Sequence, residues 1–147
     1  MLDRFGLSVQ VRTPQDIALR VAVIKRRDAF DRDPEGYKAE WQSESERLQK
    51  RIVKARKALP SIVVDDAMLT LCARLCQALG TDGLRAELTL MRAMRALAAL
   101  QGHKKVKPDH LKTIAPLALS HRLRRNPLDD TDSGQRVQRC LDDLLAA

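Results

Sequence analysis

T-D-G-L-R-A-E-L-T-L-M-R-A-M-R-A-L-A-A-L, residues Thr81–Leu100, is the stretch on which the fold turns. Ala, Leu, Met, Arg and Glu dominate it, and β-branched residues are nearly absent after its first turn, so intrinsic propensity favours one long helix. Asp82 stands where an N-cap is wanted and Gly102 where the helix should stop. Leu84, Leu88, Met91 and Ala98 fall on one stripe, and Leu90, Met94, Leu97 and Leu100 on a second. Two stripes predict burial over much of the helix surface. Arg85 nevertheless sits in the first turn, with Thr89 and Arg92 one and two turns further along. A cation there opposes the helix dipole. The free N–H groups at a helix N-terminus favour phosphate, and an arginine adds a bidentate donor. The residues alone leave two readings open: a surface arginine paired with Asp82 or Glu87, which is the commoner case, or an arginine placed for an anion.

The chain of 147 residues suffices for one domain with a modest core. Only 3% of residues are aromatic, so that core must be aliphatic, and 31% are charged, which suits long solvated helices. A formal net charge of +8 favours an anionic partner: nucleic acid, nucleotide phosphate or an acidic protein surface. The odd cysteine count (Cys72, Cys76, Cys140) with no leader-like N-terminus points to a reducing, cytoplasmic setting. No apolar run approaches the ~20 residues of a membrane span.

Before the central helix, Phe5-Gly6-Leu7-Ser8-Val9-Gln10-Val11 alternates strictly and predicts a half-buried strand. One strand cannot satisfy its own backbone, so this stretch belongs to a sheet that the chain does not contain. Thr13-Pro14 is expected to open a helix striped by Ile17, Val21 and Ile24 and fading over residues 31–34. Residues 35–59 read as one long polar helix anchored by Trp41, Leu48, Ile52 and Leu59. Its basic run Lys50–Lys57 reads as a solvated face first and a nucleic-acid stripe second. A helix from Asp65 or Asp66 to Leu79 carries the stripe Met68, Leu71, Leu75, Leu79. Beyond the central helix, Pro108 opens another, with Pro116 expected to kink or restart it. Residues 126–130 read as a polar loop, and residues 134–145 as a closing helix.

Chemistry-bearing patterns are few. There is no G-x-x-x-x-G-K-[ST], so the chain does not bind a nucleotide in the P-loop manner by itself. Cys72 and Cys76 lie one turn apart without further ligands at zinc-like spacing, so no metal site is expected and both read as small core residues. His103, His110 and His121 lack nucleophile or carboxylate partners at recognisable offsets. His121-Arg122-Leu123-Arg124-Arg125 is a compact basic cluster, suited to phosphate, to acidic side chains or to capping a helix C-terminus. Arg4 stands one residue before the expected strand, where it could project from a sheet rim toward a neighbouring subunit or pair with Asp3.

Four strings carry a resemblance: Leu2-Asp3-Arg4-Phe5-Gly6-Leu7-Ser8-Val9, Leu71-Cys72-Ala73-Arg74-Leu75-Cys76, Leu79-Gly80-Thr81-Asp82-Gly83-Leu84-Arg85, and the run from His121 to Asp129. Together they resemble the C-terminal part of the AAA+ ATPase (I) subunit family of magnesium chelatase, over nearly the whole chain. D-G-L-R-x-E-L-T-L and H-R-L-R-R-x-P-L-D are specific strings; D-R-F alone is not. The resemblance implies a mainly α fold: an AAA+ helical lid bundle of four to six helices preceded by one orphan core strand. It divides the chain into residues 1–12 (end of the core), 13–60 (linker helices) and 61–147 (lid). It implies ATP bound between ring subunits, with Arg4 as an arginine finger acting in trans and Arg85 as the sensor-2 arginine. The activity implied is ATP-driven insertion of Mg²⁺ into protoporphyrin IX for chlorophyll and bacteriochlorophyll synthesis, a nitrogen–metal ligase reaction. Neighbouring ATPase subunits and the other two chelatase subunits are the implied partners. Walker A, Walker B and sensor-1 segments would lie before Met1, as would the Mg²⁺ ligands, so the chain alone is expected to be inactive. The alternatives are the lid of another chelatase-like or MoxR-like AAA+ ATPase, a basic helical nucleic-acid-binding module, and an interaction domain that poisons or caps a ring of full-length subunits.

Overall fold

A computed structural model of the chain describes residues 4–81, 83–123 and 133–146. Residues Gln10–Val53 form one compact unit; Met1–Val9 with Lys54–Ala147 form the other.

Within the first unit, α1 (Ile17–Arg32) and α2 (Pro34–Glu40) pack through aromatic contacts. Phe30 meets Tyr37 edge-on at 5.9 Å between ring centroids, and Tyr37 lies 6.2 Å from Trp41. Three of the four aromatic residues of the chain are thus spent here. Asp16, not Thr13, caps α1, accepting from the Ala18 N–H at 2.8 Å. The expected helix over residues 35–59 is two helices, α2 and α3 (Gln42–Ala58), because Trp41 leaves helical geometry between them. Lys50–Lys57 lies on α3, which buries no residue, and only Ala55 in that run is even half-covered.

The second unit is a bundle of α4 (Asp66–Ala78), α5 (Arg85–Leu100), α6 (Pro108–Leu119) and α7 (Ser133–Ala146). Its four helices meet the expectation of a helical lid bundle. Asp65 caps α4 through the Met68 N–H. Both α4 and α5 end in the same left-handed glycine turn. Gly80 (φ 66°) donates to Gln77 while Thr81 donates to Cys76; Gly102 (φ 76°) donates to Ala99 while His103 donates to Ala98. These paired bonds satisfy carbonyls that a helix end leaves open, and a side chain at the glycine would strain the turn. Leu75, Leu90, Met94, Leu111, Leu119 and Leu141 are fully buried, and no aromatic side chain joins the core.

Three expectations are corrected. The central helix begins at Arg85, with Leu84 in the capping position and no side-chain cap; Asp82 lies outside the described residues. Its buried stripe is Ala86, Leu90, Met94 and Ala98, whereas Leu84 (75% exposed) and Leu88 (45%) point away from the core. Pro116 does not restart α6, which runs unbroken from Pro108 to Leu119. The helix passes through it and tightens into a 3-10 turn at Ser120–Arg122, where the Ser120 hydroxyl donates to the Pro116 carbonyl.

The orphan strand does not form. Phe5, Leu7, Val9 and Val11 are 62%, 47%, 68% and 90% exposed, and the described residues hold only an isolated bridge elsewhere, Val63 with Lys105. The alternation remains in the sequence, but a strand exists only with a partner to pair against.

Candidate functional site

Arg85 is the first residue of α5, so its side chain leaves the helix beside N–H groups that the N-cap residue Leu84 does not cap. One turn on, the Thr89 hydroxyl donates back to the Arg85 carbonyl at 2.7 Å, and Arg92 follows. The Arg4–Ser8 segment crosses this helix. A Cβ built on Gly6 would stand 3.7 Å from the Thr89 methyl, an ordinary packing distance. Ser8 donates its N–H to the Leu117 carbonyl on α6 at 2.8 Å. The Phe5 carbonyl accepts from Arg122 Nη2 and from His121 Nε2, each at 3.0 Å.

Between segment and helix lies a cavity of about 440 Å³ lined by Arg4, Gly6, Leu84, Arg85, Leu88, Thr89, Arg92 and Arg122. Four of the eight are arginines and none is a carboxylate. Among the described residues no ion pair engages Arg4, Arg85 or Arg92. Cations with no counter-charge among the described residues repel one another, and an anion with several acceptor oxygens relieves that repulsion. The opening helix adds its N–H groups and the positive end of its dipole. Leu84 and Leu88 give the cavity one apolar wall, which explains their exposure.

Glu87 does not neutralise these arginines. It is no part of the cavity lining, and its charge is felt on the other side, where it adds to the rise of the Cys72 and Cys76 thiols. Burial is the larger cause, pushing Cys72 up to about 11 and Cys76 to about 12. Of the candidates the sequence singled out, Arg4 and Arg85 reach the same cavity, joined by Arg92 and Arg122. Arg122 was visible only as one member of a basic cluster. Its partner, the Phe5 carbonyl, is 117 residues away and leaves no trace in spacing. Arg124 and Arg125 of that cluster, and the 126–130 loop, lie outside the described residues.

An AAA lid domain family matches residues 69–140, the span of α4 to most of α7. The magnesium-chelatase 38 kDa subunit of Cereibacter sphaeroides is 52% identical over 145 residues, covering 99% of this chain and 43% of that protein. The chain belongs to the magnesium chelatase ATPase-subunit family and matches its C-terminal part. The 38 kDa subunit of Acidiphilium rubrum is 49% identical over 146 residues, covering 99% of this chain and 42% of its own length. The chloroplastic magnesium-chelatase subunit ChlI of Nicotiana tabacum is 42% identical over 137 residues, 93% of this chain and 32% of that protein. The chain therefore spans less than half the length of these magnesium-chelatase relatives. Among the described residues no helix is long and apolar enough to cross a membrane.

Proposed function

We propose that the chain is the lid portion of an ATP-hydrolysing magnesium chelatase subunit, and that its arginine cavity receives the phosphates of a nucleotide cradled by another subunit of a ring. In the whole enzyme ATP hydrolysis drives insertion of Mg²⁺, a substrate, into protoporphyrin IX, in concert with the other two chelatase subunits in the cytoplasm. The observation carrying this reading is the convergence of Arg4 and Arg85 on one cavity whose described lining includes no carboxylate.

The donor set suits a triphosphate. The planar guanidinium groups of Arg4, Arg85 and Arg92 can each take two phosphate oxygens, and the cavity volume lies in the range of ordinary ligand pockets. ATP supplies a phosphoryl group whose transfer spreads negative charge over its peripheral oxygens. Arg4 and Arg85 meet that charge with preformed positive charge in fixed positions, so no reorganisation is needed as it develops. Because one cavity holds both, arginine finger and sensor-2 residue serve a single nucleotide. No phosphate loop is present in the sequence, so the remaining contacts to that nucleotide come from outside residues 1–147.

The test uses a chimera in which this chain replaces the matched part of the Cereibacter sphaeroides 38 kDa subunit. Arg4→Ala should lower ATP turnover by about 10³-fold or more, and Arg85→Ala by about tenfold to 100-fold, with helix content by circular dichroism unchanged. The 147-residue chain alone should hydrolyse no ATP. Unchanged turnover in Arg4→Ala removes the phosphate reading, and hydrolysis by the chain alone removes the assignment.

A further inference from the structure

The Phe5 carbonyl is held by two side chains from one turn. Arg122 Nη2 and His121 Nε2 both reach it at 3.0 Å. Arg122 is itself anchored, donating from Nε to the Ala118 carbonyl at 3.1 Å. Its guanidinium thus bridges the end of α6 to the Phe5–Gly6 peptide, one residue beyond Arg4. A carbonyl accepts, so His121 carries its proton on Nε2; its Nδ1 is buried and has no partner among the described residues. The Arg4–Ser8 segment has no regular structure of its own beyond a turn at its start. Among the described residues its hydrogen bonds to the bundle are these two and the Ser8 to Leu117 bond, all to α6 and the turn after it.

We infer that Arg122, seconded by His121, is a positioning residue that fastens the Arg4 segment to the bundle and so sets the placement of Arg4 relative to Arg85. Two of the Arg122 nitrogens are spent on carbonyl oxygens in different elements. That is a task for a rigid fork of donors rather than for a point charge, so lysine does not substitute. The clamp makes the two cavity arginines parts of one body, and any motion of the bundle carries Arg4 with it. The consequence for catalysis rests on the phosphate reading above; the clamp itself does not.

Hydrogen exchange on the 147-residue chain decides the clamp. Arg122→Lys, which keeps the stem and the charge, and Arg122→Ala should each speed exchange at the Ser8 amide by about tenfold, as expected for losing a charged hydrogen bond that closes a local opening. Amides of α5 should not change, and Arg74→Ala on α4 should leave Ser8 exchange as it is. Unaltered Ser8 exchange in Arg122→Ala overturns the clamp. So does wild-type exchange in Arg122→Lys, which would mean that charge alone suffices. Equal acceleration across α5 and α6 in both variants would reduce Arg122 to general packing and also overturn it. In the chimera, Arg122→Lys should lower kcat with little change in the KM for ATP, and combining it with Arg4→Ala should be no worse than Arg4→Ala alone. Additive losses would mean that Arg122 contacts the anion itself. If Arg4→Ala leaves turnover intact, the phosphate reading fails while the exchange result still decides the clamp.

Discussion

Cys72 and Cys76 stand one turn apart on the face of α4 that meets the core. Burial, with Glu87 adding to it, holds both as thiols far into the alkaline range. The thiolate is the reactive form, so neither should be alkylated at neutral pH while the bundle is folded. Cys140 is only half-buried, and its thiol is raised less strongly, by burial first and Asp143 second. Treating the native chain with iodoacetamide should label Cys140 alone; adding denaturant should label all three, as read by peptide mass spectrometry. Rapid native labelling of Cys76 would mean that α4 leaves the core far more often than its burial allows. The same contrast separates the arginines. Glu87 raises the thiols on one side of α5 while Arg85 opens onto the other, so charge on this helix is sorted by face.

The start of α6 shows how one element can carry a pH response. His110 is buried, accepts the Lys107 N–H at Nδ1 (2.8 Å), and places Nε2 3.0 Å from both His103 Nδ1 and Gln101 Oε1. It closes the first turn of the helix as the N3 half of a capping box would. An Nδ1 that accepts is unprotonated, so the cap works only with neutral imidazole. Burial first, then the nearby His103 and Lys107, push His110 below the ordinary 6.5, with Asp109 acting weakly the other way. The unfolded chain therefore binds more protons than the folded one in the interval below 6.5, and stability falls as pH falls through it. Thermal unfolding followed from about pH 7.5 to about pH 5 should show a declining Tm, and His110→Asn should lower the starting value but flatten the slope. An equal slope in the variant would assign the acid sensitivity to other groups. What was legible at this scale was what local chemistry determines: a helix start at Asp65 or Asp66, the glycine stop at Gly102, and the type of each bundle helix. The start of α5 was misplaced because composition runs helical from Thr81, while Gly83 takes a φ of 72° that a helix cannot use. The strand at residues 5–11 was misread for a different reason, since alternation records a preference that only a neighbouring strand can satisfy. Arg4 and Arg85 could be picked out singly, but their shared cavity depends on Phe5 meeting Arg122 across the fold.

At the scale of the chain, burial is divided unevenly. Every residue of the buried core lies in Lys54–Ala147, from Ile62 to Leu141, whereas α1, α2 and α3 bury none. What supports the unit over residues 10–53 is its aromatic contacts, the Arg26–Trp41 and Arg27–Phe30 cation–π pairs, and exposed ion pairs such as Arg27–Asp31. Exposed pairs contribute little, and helices without a buried face open locally rather than with the whole. The two units should therefore differ in native hydrogen exchange. Amides within α4, α5 and α6 should exchange at least about 100-fold more slowly than those in α1 and α3, and the gap should close only when denaturant unfolds the bundle. Equal protection in α1 and α5 would mean that Ile17, Val21 and Ile24, all exposed here, are covered in solution. Light scattering at two protein concentrations would then distinguish self-association, which raises α1 protection with concentration, from packing within one chain, which does not.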